Sequence, residues 1–229
     1  MHPIQYLVNN LMLPTLQFFF GITQNYGLAI ILLTLTIKLL LFPFTVKQHK
    51  SMSGVKVLQP KVKELQAKHK DNPQMAQTKM MELYKEHGVN PLGGCLPTLV
   101  QLPFFIAIFV TLNSPHFTEL ISAEGVNASF LWLKNLGMPD HLFILPVLVA
   151  VSTYFSQKTM SPGGAKDDPQ MKMFAYMPFI MLFICFKMPS GVLIYWALSQ
   201  GLTSLQQYYL NVRSTKNKSM VKGETNGTV

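Results

Sequence analysis

Charged residues are missing from long stretches of this chain, and that absence constrains the fold more than any other feature. No Asp, Glu, Lys or Arg occurs in residues 1–37, 88–118, 141–157, 173–186 or 188–212. A helix needs roughly 20 mostly apolar residues to cross a hydrocarbon core ~30 Å thick. In lipid the backbone must satisfy its own hydrogen bonds, which favours helices for such runs. Of the 229 residues, 13% are charged and 49% hydrophobic, whereas soluble domains carry roughly 25% charge. The expected fold is an all-α integral membrane protein with five transmembrane helices.

The net charge of +9 would suit a nucleic-acid partner, but its distribution points elsewhere. Residues 47–87 carry nine Lys against four acids, and residues 213–229 carry four basic residues against one acid. Residues 113–140 reverse the balance, with Lys134 against Glu119, Glu124 and Asp140. Basic loops stay on the cytoplasmic side. The first two segments therefore belong inside and the third outside, with the N-terminus outside and the C-terminus in the cytoplasm. No specific DNA binding is expected. The N-terminus lacks the basic region and small-residue cleavage site of a signal peptide, so either none exists or the chain begins after one.

Five regions follow. In residues 1–24, Ile4, Leu7, Val8, Leu11, Met12 and Leu16 recur at helical spacing, with Pro14 interrupting. This reads as an amphipathic helix lying at the outer interface, with a short spanning helix as its rival. Residues 25–46 hold the first span, from about Tyr26 to Phe44. Residues 47–90 carry an apolar seam at Met52, Val55, Leu58, Val62 and Leu65, then a turn signal at Asp71-Asn72-Pro73. A second stripe follows at Met80, Leu83, Tyr84 and His87. The pattern predicts a coiled-coil-like cytoplasmic hairpin, kinked at Pro60; the rival is a solvated loop without a partner. Residues 91–213 hold spans two to five, near 93–112, 142–158, 171–186 and 192–212. Phe130-Leu131-Trp132 can act as interface anchors in the outer connection. Residues 214–229 form a short basic tail, expected to be disordered from Lys218 onward.

Lys38 is the most informative side chain. It stands two-thirds along the first span between Ile37 and Leu39, where a basic residue costs roughly 2.5–3.5 kcal/mol on insertion scales. Such a residue should face a wet or polar interior, unless it snorkels to the cytoplasmic headgroups. Thr34 lies four residues before it, on the same helical face. Gln101, Ser152, Ser156, Gln157, Ser199 and Gln200 place further polar groups in other spans. Singly they read as helix–helix contacts; together with Lys38 they suggest a hydrated cavity. Tyr195 and Trp196 serve as interface anchors or line a groove, and Lys187 reads as a snorkelling residue at an outer turn. Cys95 and Cys185 read as buried thiols. No phosphate-binding loop, HExxH or GxSxG is present. No catalytic residue, metal site or cofactor is expected, and the chain does not read as an enzyme. A small-solute transporter or channel using Lys38 as an anion site is the alternative function.

The run from Tyr84 through Lys85-Glu86-His87-Gly88-Val89-Asn90-Pro91-Leu92-Gly93-Gly94-Cys95-Leu96 to Pro97 resembles the signature of the YidC/Oxa/Albino membrane protein insertase family, in its bacterial form. The agreement continues at Gln101-Leu102-Pro103-Phe104-Phe105, Tyr26-Gly27, Leu58-Gln59-Pro60-Lys61, Ile144-Leu145-Pro146, Met160-Ser161-Pro162 and Pro189-Ser190-Gly191. The resemblance implies an insertase and chaperone of the bacterial inner membrane, working without nucleotide hydrolysis. It implies a polar groove open to cytoplasm and lipid but closed to the outside. The implied partners are nascent membrane proteins and the lipid bilayer, with a ribosome, a targeting receptor and a Sec-type translocon beyond them. The family commonly has Arg where Lys38 stands; Thr34, Gln157, Tyr195 and Trp196 fall at positions resembling its groove and substrate contacts. The large outer domain of many members has no room in residues 1–24, the tail is short, and Asn135-Leu136 stands where members often carry an acid.

Overall fold

Asn25 decides where the longest helix begins. Its side chain accepts from the backbone N–H groups of Gly27 and Leu28, two of the donors a helix start leaves unpaired. The computed structural model describes residues 3–90, 96–123, 126, 128–160 and 169–225. Cys95, Gly93-Gly94, Ser161-Pro162 and the Gly163-Gly164 loop lie outside the described residues. Among those described, the structure is helical, with an isolated bridge between Phe130 and Leu133.

The N-terminal helix is one rod in two pieces, α1 (Pro3–Leu7) and α2 (Leu13–Thr23), joined by a π turn over Val8–Met12. The N–H of Leu13 reaches back five residues to Val8 O. The turn widens just ahead of Pro14, which has no N–H to place, so the proline does not break the rod. Val8, Met12 and Leu16 are buried, whereas Leu11, expected on the same face, is 40% exposed. The widened turn shifts the phase of the buried stripe, and Leu11 falls outside it.

Helix α3 (Tyr26–Lys68) runs for 43 residues through both the first apolar span and the first arm of the hairpin. Pro43 and Pro60 lie inside it without ending it. The turn at Asp71-Asn72-Pro73 is as expected: Asn72 caps α4 (Pro73–Glu86) by accepting from the N–H of Met75 at 3.1 Å. The two arms pack through buried Leu58 and Ala76 with Val55, Val62, Leu65, Met80 and Leu83 half-buried around them. His87 is exposed rather than in the seam and meets Lys61 at 3.3 Å.

The hairpin closes through Gly88, whose φ is 61°. Its N–H bonds Lys85 O at 3.1 Å, and the N–H of Val89 bonds Tyr84 O at 2.9 Å, the paired closure of a left-handed helix cap. Val89 then sits against Gly54, where a Cβ would lie 3.0 Å from its methyl. Gly88→Ala forces a β-carbon into the left-handed region and should cost about 1 kcal/mol. Hydrogen exchange should quicken across 73–89 and stay unchanged across 144–160; equal rates in both proteins would refute this.

Helices α5 (Leu96–Leu112), α7 (Ile144–Met160), α8 (Pro169–Cys185) and α9 (Ser190–Thr225) complete the bundle. Helix α9 packs on α7 and α3, and α8 packs on α7. Its extent corrects the expectation of disorder from Lys218: the helix continues to Thr225. Residues 214–225 contain no proline and one glycine, so nothing local stops a helix already nucleated by the bundle. One helix among the described residues, Tyr26–His49, is long and apolar enough by itself to cross a membrane; the bent pair Leu99–Leu112 and Pro115–Ser122 would be a second.

The segment read as a plain outer connection contains α6 (Pro115–Ser122), capped by Ser114 and turned 55° from α5. Together with residues 128–140 it folds over one end of the bundle. Tyr26 is the post beneath it, stacked on Phe20 at 4.0 Å and edge-on to Phe117 at 5.3 Å. Phe130 lies on Gly27, where a Cβ would fall 2.2 Å from the ring. Met138 O and Leu136 O accept from the N–H groups of Ser190 and Gly191 at 2.8 and 2.9 Å, tying the lid to the start of α9. Asp140, 3% exposed, accepts from Trp132 Nε1 and from the N–H groups of Leu142 and Leu145. Trp132 is therefore held inward, while Leu131 is 76% exposed.

Candidate functional site

Three helices meet at Lys38. Helix α3 presents the ammonium, which donates to Gln101 Oε1 on α5 at 3.1 Å and to Thr203 Oγ1 on α9 at 2.9 Å. Gln101 Nε2 donates to the hydroxyl of Tyr195, also on α9. Thr203 donates in turn to Ser199 O at 2.8 Å. An ammonium has three N–H donors, and the third meets no acceptor among the described residues. Nor does any described carboxylate pair with it: the ion pair among the described residues is Lys79 with Glu82, far off on the hairpin. The charge at Lys38 is thus solvated by neutral oxygens and is not cancelled.

Of the residues expected here, the structure brings Lys38, Gln101 and Tyr195 into one bonded cluster. Thr34 is fully buried, and its hydroxyl donates to Ile30 O of its own helix at 2.6 Å. It shares the face of Lys38 but makes no bond to it. Trp196 is half-buried and packs edge-on against Phe105 at 4.6 Å, beside the cluster. Gln157, half-buried on α7, forms no hydrogen bond to the cluster. Cys185 is a buried free thiol, as expected. No group of three or more potential metal ligands occurs among the described residues.

Sequence reasoning did not single out Thr203. Its signal is a ladder at four-residue intervals down α9: Tyr195, Ser199, Thr203, Gln207 and Asn211. This spacing keeps side chains near one face. The ladder faces α5 at Tyr195, Lys38 at Thr203 and the hairpin root at Asn211, whose Oδ1 lies 2.9 Å from His49 Nε2. His49 and Gln48 are both buried, so a polar seam runs from the Lys38 cluster to the base of the hairpin. Gln207 is 1% exposed and its Nε2 has no partner among the described residues; Thr153 Oγ1 on α7 is in the same state. Buried donors left unpaired are costly and are commonly met by internal water. The seam is chemically suited to hydration.

Comparison with known proteins gives the arrangement its context. The family model described as 60Kd inner membrane protein matches residues 18–218. A membrane protein insertase YidC of Fusobacterium nucleatum subsp. nucleatum is 42% identical over 208 residues, covering 89% of this chain and 96% of the relative. One of the same name from Psychromonas ingrahamii is 42% identical over 210 residues, and this chain spans 36% of its length. Another from Helicobacter pylori is 40% identical, with 35% of its length spanned. The crystal structure of an active YidC insertase with its first transmembrane domain resolved superposes with a TM-score of 0.68 at 29% identity. The alignment covers 86% of this chain and 45% of that one. With the family model matching most of the sequence and one relative aligned over nearly its full length, the chain belongs to the 60Kd inner membrane protein family.

Proposed function

We infer that this chain is a membrane protein insertase that receives client segments at the Lys38 cluster, without hydrolysing nucleotide. The observation that carries the site assignment is the uncancelled ammonium of Lys38, held by Gln101 and Thr203 with a donor to spare. A polar or acidic client segment exchanges water for these groups and so avoids crossing bare hydrocarbon, where unpaired polar groups cost several kcal/mol. The client's apolar segment supplies the driving force as it reaches lipid. The closed lid over Gly27 and the hydratable seam along α9 fit a groove that opens toward the hairpin and not toward the lid.

Five spans and an N-terminus-out orientation belong to this reading. Helices α5, α7 and α8 have 17 residues each, a length of ~26 Å that nearly spans the hydrocarbon core. Their outer surfaces are apolar: Leu99 and Leu102 on α5, Val147 and Val151 on α7, Phe179 and Phe183 on α8 are all exposed. Inside, Thr153, Ser156, Ser199, Thr203 and Gln207 are buried. Apolar outside with polar inside is the arrangement that suits lipid. The excess of lysine on the hairpin sets that end in the cytoplasm, where a ribosome, targeting receptor or Sec-type translocon would meet it. The N-terminal rod α1–α2 fits the outer interface. In proteoliposomes, a photocrosslinker at Gln101 or Trp196 should capture a short client during synthesis, and one at Leu205 should not. Capture equal at all three positions would remove the groove from the mechanism.

A further inference from the structure

At the lid end of the bundle, α7 and α8 border an open surface cavity of about 460 Å3 lined by Phe143, Val147, Leu182 and Phe186. Its size falls within the roughly 300–1,000 Å3 typical of small-molecule sites, yet no polar side chain lines it. Phe143 enters its wall with a φ of 56°, a conformation rare for a bulky residue. Asp140 imposes it: the carboxylate accepts from Leu142 N–H at 3.0 Å and Leu145 N–H at 2.8 Å, clamping the chain on both sides of Phe143. Phe143 then meets Phe186 edge-on at 5.2 Å. A strained backbone held by a buried carboxylate marks a built wall. Directly after Phe186 comes Lys187, exposed in the turn between α8 and α9. Its flexible stem can follow an apolar surface while its ammonium stays at headgroup level.

We propose that this cavity and Lys187 form a binding site for one glycerophospholipid of the lid-side leaflet, its acyl chain between α7 and α8 and its phosphate on the Lys187 ammonium. The proposal rests on the membrane orientation inferred above, which makes that leaflet the outer one. Two features select this occupant. The cavity is continuous with the exposed apolar stripe Ile144, Val147, Leu148 and Val151 of α7, so a chain enters from the bilayer without passing polar groups. The cation follows the lining residue Phe186 directly in the chain and is not itself part of the lining, as an amphiphile with an anionic head requires. The second surface cavity, about 430 Å3 between α7 and α9, is lined by Ser152, Ser204 and Tyr208 among others, polar groups that the first lacks, which makes it an internal comparison.

The full chain, reconstituted in nanodiscs containing phosphatidylglycerol tagged with a diazirine near the carbonyl end of one acyl chain, tests this. After irradiation, peptide mapping should find label on 143–147 and 182–186 several-fold above that around Leu205. Lys187→Gln should lower this labelling several-fold, and Leu182→Trp, which narrows the cavity, should lower it as well. Even labelling around the whole apolar wall, or labelling unchanged in both variants, would overturn the proposal. If Leu182→Trp fails to fold, Lys187→Gln on its exposed turn decides alone. Crosslinks from Val147 that trap a client segment instead of lipid would also overturn it. Client insertion is scored separately on the same variants, so loss of insertion with lipid labelling intact counts against the groove and the reverse against the lipid site.

Discussion

Lys38→Ala should slow insertion of a client with an acidic translocated segment by about tenfold or more, which corresponds to ~1.4 kcal/mol of barrier. Two unit charges ~4 Å apart attract by ~4 kcal/mol at an effective dielectric of ~20. Hydration of the groove would reduce that figure, yet a third of it suffices. The ammonium now has Gln101 and Thr203 as neutral partners and no described carboxylate to compete with a client. Lys38→Arg should keep most of the rate, because the charge remains while the donor geometry changes. A client whose translocated segment is neutral should lose at most about twofold in Lys38→Ala, since its transfer draws on wetness and not on charge. Rates in proteoliposomes for the two clients, side by side, give the answer. Equal losses for both would show that Lys38 only holds the helices together.

The second large effect falls on the lid. Asp140→Ala should cost at least ~3 kcal/mol, since hydrogen bonds to a charged group contribute roughly 1.5–3 kcal/mol each and stranded buried donors add to the loss. Three donors depend on this carboxylate: Trp132 Nε1 at 3.1 Å, Leu142 N–H at 3.0 Å and Leu145 N–H at 2.8 Å. Phe143 would relax out of its left-handed conformation, and the loop from Trp132 to Leu136 would keep its bond to Gly191 but lose the one at Trp132. Asp140→Asn keeps an acceptor oxygen and should cost less than half as much. Thermal unfolding in detergent reads the stability. Thiol labelling of Leu133→Cys, a position now 5% exposed, reads the opening. Slow labelling in Asp140→Ala would mean that Phe130 on Gly27 closes the lid without help.

The parts of the fold visible in the amino-acid sequence are those that local pattern controls. The apolar runs located α3, α5, α7, α8 and α9, and Asn72-Pro73 located the start of α4, because span length and cap chemistry are properties of short windows. The π turn before Pro14 was not visible, since it depends on how α1 and α2 settle against α3 and α5. Helix α6 was hidden by its length of 8 residues; its signal was Ser114-Pro115, a capping residue followed by the residue best suited to a first turn. At the site, Lys38 was legible by cost alone, as a cation among apolar neighbours. That Gln101 and Tyr195 join it, while Thr34 turns to its own backbone and Gln157 stays apart, is decided by how three helices cross. Spacing on one helix carries no information about that rotation. Asp140 entered the sequence reading as a unit of charge balance, and its role at the lid required the folded turn.

Because α3 is continuous from the lid to the tip of the hairpin, it can act as a lever. The contact of His49 with Asn211 fixes the rod to α9 partway along and serves as its fulcrum. From there the hairpin end of the rod at Lys68 lies ~28 Å away in one direction and Lys38 ~16 Å in the other. A sideways push at the far end of the hairpin arm would therefore reach the ammonium reversed in sense and reduced to roughly half, less whatever Pro43 absorbs by bending and the bond from Lys38 to Thr203 resists. Contact made at the hairpin would thereby become a small, opposed shift of the Lys38 charge, with no moving part between them but the rod itself.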